Sequence, residues 1–237
     1  MERIFTRNMF IMLLSIMIGA IIITFFIADI QHKSEIETLT TGYTDEISTI
    51  TRNNENFTGY FLYSLGILDQ AREDRAFGNY HYDLGFLWYN SMLSETNLTT
   101  FEQYQSRAVE NCTNAMPKYM ESHDNFEVAI NKFIETKNYT STPKYRDILD
   151  LYIALSESGA RLTYLRYNAS NYLKQITAGI ELTINPGNGS VTLVISENIS
   201  EMIELFEQTL GDIAAEEEIF EDLKDEIDEY PFFDEIR

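Results

Sequence analysis

Cysteine occurs once in this chain, as Cys112, so no disulfide can staple the protein to itself. A eukaryotic secreted domain of this size ordinarily carries several. The lone thiol therefore points to a prokaryotic, archaeal-type source, with Cys112 acting as a small buried apolar residue. Proline is almost as rare, with four in 237 residues. So few breakers leave room for long uninterrupted helices. The three histidines, His32, His81 and His123, include no i,i+4 pair, so neither a metal centre nor any other cofactor is expected. Positive charge is scarce too: 17 basic against 38 acidic side chains give a net charge of −21. That excludes nucleic acid as a partner, because a phosphate backbone needs a basic surface. It also argues against the domain lying flat on an anionic membrane.

Catalytic signatures are missing as well. Ser158-Gly159 lacks the glycine two residues before the serine that a nucleophile elbow requires. Gly187-Asn188-Gly189 is turn chemistry, without the lysine of a phosphate loop or the third glycine of a dinucleotide fingerprint. Paired carboxylates are too common in so acidic a chain for their spacing to carry meaning. No enzymatic activity is expected.

What the sequence does have is one long apolar run, Met9 to Ala28. At about 1.5 Å of rise per residue a helix of that length spans about 30 Å, the hydrocarbon thickness of a bilayer. Arg3 and Arg7 precede the run, while Asp29, Glu35 and Glu37 follow it. The positive-inside rule then predicts a single-pass signal-anchor with residues 1–8 cytoplasmic and the bulk of the chain extracytoplasmic. The run exceeds the apolar core of a cleaved signal peptide, and Ala28 has Phe26 where a cleavage site wants a small residue. Ser15 and Gly19 stand four apart and offer a close-approach face for a homodimer in the membrane.

An independent signal agrees with this topology. Asn56, Asn97, Asn111, Asn138, Asn168, Asn188 and Asn198 each have Ser or Thr two residues on with no intervening proline. Composition predicts about two or three such N-glycosylation triplets rather than seven, and all lie on the expected external side.

Beyond the anchor the apolar residues recur at helical spacing. Ile36, Leu39, Tyr43, Ile47 and Ile50, then Phe57 and Phe61, form the seam of a helix that needs a partner. No proline separates it from the anchor, so residues 29–56 are expected to form a helical stalk, with Gly42 and Thr51–Asn56 as places for it to bend or break. Residues 57–230 then read as an antiparallel bundle of four to five long helices, and 231–237 as an acidic tail. The aromatic segment Tyr80–Tyr89 contains Gly85, seven residues after Gly78, a spacing that admits a neighbouring helix closely on one face. Thr99 with Glu102 reads as a capping box for the second helix, which should be kinked or interrupted near Pro117. Thr142-Pro143 is a strong start signal for a third. Its seam runs Ile148, Tyr152, Leu155, Gly159, Leu162, Ala169, Leu173, Ile176, Ile180. Ile180–Ile184 and Val191–Ile195 flank an Asn-Pro-Gly-Asn-Gly turn, and two readings stand: a small hairpin, for which they are β-branched enough, or a plain loop. A last helix carries Ile203, Phe206, Leu210, Ile213, Phe220, Leu223 and Ile227 on one face and an acidic surface that includes Glu216 and Glu217 on the other.

The expected fold class is therefore all-α, with a transmembrane helix, a stalk and a bundle. Polar groups inside apolar seams mark the candidate site. Arg166 stands where the third seam wants an apolar residue, with Arg161 five before it; Arg75, His81 and Asp83 lie in or beside the aromatic segment. A buried charge is costly unless paired, which makes Asp83 a candidate partner for Arg166. The candidate ligand-binding residues are Tyr80, His81, Tyr82, Asp83, Trp88, Arg161, Arg166 and Tyr167. A pocket predicts a closed cavity touching Arg161 or Arg166 together with the Tyr80–Trp88 segment. A solid core with both arginine heads in solvent excludes it.

Three functions fit these observations. The first is a membrane-anchored, glycosylated surface bundle that acts as a structural or interaction module of the envelope, binding a second envelope or membrane protein or itself. The second is a ligand-binding module, which resembles in outline the four-helix sensor domains of membrane receptors. Those carry a second membrane helix and an output domain, so here a partner would relay the signal. Third, an apolar helix running into an amphipathic one resembles type IV pilins over the first fifty residues. Asn8 stands near the place of the pilin glycine, and Met12 and Leu13 near that of its glutamate.

Overall fold

The computed structural model describes residues 2–185, 191–196 and 199–230, with side chains from residue 33 onward except Ile184. The Met9–Ala28 run, its flanking arginines and the Ser15/Gly19 pair thus fall where side chains are not described, and Asn188, Asn198 and the 231–237 tail lie outside the described residues. Among the described residues no helix is long and apolar enough to cross a membrane.

The protein is predominantly helical. Four helices, α1 (Glu2–Leu93), α2 (Leu98–Thr136), α3 (Pro143–Ala178) and α4 (Ile199–Asp228), are joined by short connections and one hairpin, β1 (Ile180–Ile184) and β2 (Val191–Ile195). The chain divides into two compact units, Met1–Asn54 and Glu55–Arg237.

In the second unit the helices pack antiparallel. Phe61 meets Phe133, Ser122 Oγ donates to Ala71 O at 2.7 Å, and Gly85 meets Cys112, so α1 and α2 run in opposite directions. Phe133 stacks on Tyr152, Phe126 faces Gly159, and Gln105 reaches the carbonyls of Thr177 and Ile180, which reverses α3 against α2. Ser158 and Arg161 meet Glu216, while Tyr230 Oη donates to Lys144 O, which reverses α4 against α3. All nine residues of the expected third seam are buried, eight of them on α3 and the ninth, Ile180, at the start of β1. The buried hydroxyls of α3 satisfy themselves on the preceding turn: Ser156, Ser170 and Thr177 each donate to the carbonyl four residues back. That lets a helix with polar residues sit between two neighbours without orphaned groups.

Close approach is set by missing side chains. A Cβ at Gly78 would stand 2.7 Å from Tyr119, one at Gly85 2.7 Å from Cys112 Sγ, and one at Gly159 2.4 Å from Phe126. Cys112 is fully buried, and burial pushes its thiol up to about 12. The hairpin pairs antiparallel with Ile180 opposite Ile195 and Ile184 opposite Val191.

Four local expectations are corrected. The second helix begins at Leu98, capped by Asn97 Oδ1 accepting from Thr100 N at 3.1 Å, so the Thr99/Glu102 box does not form. Asn97, two residues earlier, takes the cap position because asparagine is the stronger N-cap, its side-chain oxygen accepting from the third amide of the helix. Helix α2 continues through Pro117, and α1 through Gly42 and Thr51–Asn56, without interruption. On α4, Leu210 is 38 % exposed and Thr209 is buried in its stead, its hydroxyl bonded back to Leu205 O. Glu216 and Glu217 do not join the solvated acidic face; they turn toward α3.

The first unit differs from the second in one respect. Ile36, Leu39, Tyr43, Ile47 and Ile50 are 50–64 % exposed, so nothing among the described residues covers this seam.

Candidate functional site

The polar residues of the bundle converge where α3 and α4 meet α1. Ile213 and Phe220 are buried seam residues of α4, and Glu216 and Glu217 fall between them at the same helical spacing. The facing side of α3 carries Arg161 and Arg166. Arg161 holds Glu216 with Nε 3.2 Å from both carboxylate oxygens and Nη2 3.0 Å from Oε1. Ser158 Oγ donates to the same Oε1 at 2.5 Å. Burial alone would raise the Glu216 carboxyl, but the hydrogen bonds from Arg161 and Ser158 hold it below the ordinary carboxylate value. Arg166 lies deeper. Its Nη2 donates to Glu217 Oε1, and its guanidinium stands 5.9 Å above the Tyr82 ring. Burial favours a neutral Arg166 and is the largest single influence, but the bond to Glu217 together with the charge interactions of Glu217, Tyr119 and Tyr82 outweighs it. Under this pair Tyr82 is buried, and desolvation pushes its phenol up to about 12.

Beside Arg166 opens a cavity of about 340 Å3, lined by Arg75, Asn79, Leu162, Arg166, Glu217, Phe220 and Glu221. Arg75 comes from α1. Its guanidinium lies 4.2 Å from the Phe220 ring centroid, and its buried Nη1 has no hydrogen-bond partner among the described residues. Burial, then the nearby Arg72 and Arg166, lower its affinity for the proton; Glu217 and Glu221 act the other way. Asn79 Oδ1 accepts from Tyr119 Oη at 2.8 Å. Glu221 is engaged on its outer side by Lys224 at 2.6 Å.

The residues singled out from sequence are not gathered in one place. Arg166 lines the cavity, but no residue of the Tyr80–Trp88 segment does; Tyr82 is tied to it only through Arg166, 5.9 Å from its ring. Arg161 is outside the lining, its side chain 54 % exposed and bound to Glu216. Asp83 is exposed and forms no ion pair among the described residues; the partner of Arg166 is Glu217 instead. Tyr80 and His81 share a shallow apolar depression with Glu73, Ala76 and Phe77. Trp88 stacks on Tyr104 at 5.4 Å and receives Arg107 at 4.7 Å, while Tyr167 stacks on Tyr164 at 6.4 Å. The cavity residues outside that set are Arg75, Asn79, Leu162, Glu217, Phe220 and Glu221. For Arg75 a signal existed: Phe61, Leu68, Arg75 and Tyr82 repeat every seven residues on the face that α1 buries, so an arginine at that step marks a charged group in the core.

Of the five glycosylation triplets within the described residues, Asn97 and Asn138 are exposed at helix ends. Asn56, Asn111 and Asn168 lie within helices and are partly covered. Among the described residues no group of three His, Cys, Asp or Glu side chains is placed to hold a metal ion.

Comparison of the chain with protein families, with curated proteins and with solved structures finds no match in any of the three.

Proposed function

We propose that this protein is a single-pass, glycosylated envelope protein whose extracytoplasmic bundle works by protein association, and that the first partner of its exposed seam is a second copy. The observation that carries the reading is the stripe Ile36, Leu39, Tyr43, Ile47, Ile50, which has helical-core periodicity and solvent exposure at once. Exposures of 50–64 % on five large side chains amount to roughly 600 Å2 per chain, so pairing two copies buries roughly 1,200 Å2, the scale of a specific interface. The stripe itself carries no charge. At about 100° per residue Glu37 and Asp45 point away from the stripe, leaving Glu35 and Glu46 as the acids that border it. The run Met9–Ala28 with Arg3 and Arg7 before it supports the membrane anchor, which would hold two copies parallel and raise their effective concentration.

Cysteine cross-linking of the full chain in membranes tests this. Tyr43→Cys should give an oxidised dimer, whereas Asp45→Cys on the opposite side should not; Cys112 is buried and stays silent. A Tyr43→Cys protein that stays monomeric on oxidation, or joins only a different protein, refutes self-pairing.

A second reading, a ligand-binding module that signals through a partner, is favoured by the cavity at Arg75 and Arg166, where bundles commonly place sites.

A further inference from the structure

We propose that the cavity between α1, α3 and α4 binds a small organic monocarboxylate, with Arg75 as the residue that receives it. This rests on the ligand-binding reading and names its ligand class. Four observations carry it. The chain has 38 acidic side chains for 17 basic ones, yet Arg75 forms no ion pair or hydrogen bond among the described residues. A guanidinium whose buried Nη1 has no hydrogen-bond partner among the described residues is a costly arrangement that a bound anion relieves. Both acids in the lining are committed elsewhere, Glu217 to Arg166 and Glu221 to Lys224, so neither supplies the missing partner. Asn79 has its Oδ1 occupied by Tyr119, which leaves its amide N–H groups as donors on the same side as Arg75. Finally, Leu162 and Phe220 make part of the wall apolar.

These features define the ligand by chemistry. A guanidinium presents a planar fork that matches a carboxylate with two parallel hydrogen bonds. One unpaired positive charge fits a monoanion, and Glu217 and Glu221 at the edge disfavour a phosphate dianion. Phe220 holds the guanidinium from beneath at 4.2 Å, so the fork is preorganised without consuming its donors. A cavity of about 340 Å3 is large against the roughly 30 Å3 share of one water molecule, which leaves room for an apolar body of about ten heavy atoms against Leu162.

Ligand-observed NMR on the full chain in lipid nanodiscs tests the assignment with benzoate, phenylacetate, inorganic phosphate and benzyl alcohol as probes. Benzoate or phenylacetate should bind and benzyl alcohol should not. Arg75→Gln should weaken binding by at least about tenfold, the loss expected for a charge-assisted pair. Arg75→Lys, which keeps the charge without the fork, should fall between, and Arg146→Gln, at the start of α3 and outside the lining, should bind like the parent. If Arg75→Gln does not fold, the Arg75→Lys and Arg146→Gln comparison decides alone. Carboxylate binding equal in the parent and Arg75→Lys overturns the role of the fork. Phosphate binding that depends on Arg75, with no carboxylate binding, overturns the ligand class and leaves the ligand-binding reading standing. Absence of binding by every anion up to about 10 mM overturns both.

Discussion

The sharpest test of the packing is a pair of glycine substitutions with opposite expected signs. Gly159 and Gly66 both lie inside helices, and replacing either with alanine removes a helix-interior penalty of about 1 kcal/mol. Their surroundings differ. Nothing lies within 4 Å of a Cβ at Gly66, so Gly66→Ala should stabilise by about 0.5–1 kcal/mol. A Cβ at Gly159 would stand 2.4, 2.5 and 2.8 Å from Cε1, Cζ and Cδ1 of Phe126. That ring is fully buried and packed edge-on against Phe220 at 6.5 Å, so it cannot swing aside cheaply. Overpacking costs about 1–3 kcal/mol, and three contacts under 3.0 Å put Gly159→Ala at the upper end, about 2–3 kcal/mol, which outweighs the helix gain and leaves it net destabilising by about 1–2 kcal/mol. For a domain of this size each kcal/mol moves Tm by about 2–4 °C, so the two variants should separate by several degrees in thermal unfolding followed by circular dichroism. Urea unfolding should show the same order with an unchanged slope. A Gly159→Ala protein at or above the parental Tm would refute the α2/α3 contact as described.

Three further outcomes follow from the same geometry. Cys112, fully buried with its thiol pushed up to about 12, should resist DTNB in the native protein at pH 8 and react in denaturant, which makes it a one-site reporter of unfolding. Glu216 binds its proton more weakly when folded than at its ordinary value of 4.5, so unfolding takes up a proton on acidification. Its contribution is complete above that value and is lost as pH falls below it; Arg161→Gln should flatten this part of the stability profile measured by denaturant titration. In glycopeptide mass spectrometry Asn97 and Asn138 should carry sugar more fully than Asn56, Asn111 and Asn168; the Asn97 cap uses Oδ1 and leaves Nδ2 for the glycan.

Much of the fold was legible because helical periodicity is a local property. The nine residues of the third seam and the Gly78/Gly85 face follow from spacing and missing side chains read along the chain, and the pairing of residues 180–184 with 191–195 is one of the two readings that their turn chemistry allows. The candidate site was legible only in part. Arg166 stood out as a charge in an apolar seam, but its partner did not, because Asp83 was likewise an acid set among apolar and aromatic residues. The actual partner, Glu217, was hidden in a run of acids that looked uniformly solvated. One of its neighbours, Glu218, is indeed exposed, and nothing in the local pattern separates the two.

What the sequence alone determined is where helices form, which of their faces require cover, and that the chain carries an apolar run long enough for a bilayer. These depend on the 3.6-residue repeat and on side-chain hydrophobicity, both readable without a neighbour. The tertiary structure decided which faces receive that cover. Phe57 and Phe61 continue the same spacing as Ile47 and Ile50, yet the first two are buried and the second two exposed. It also decided that Arg166 meets Glu217 while Arg75 stacks on the face of Phe220, since pairing across helices depends on their rotation and offset. A side chain's need for a partner is written in its own chemistry, whereas the partner's identity is a property of the packing.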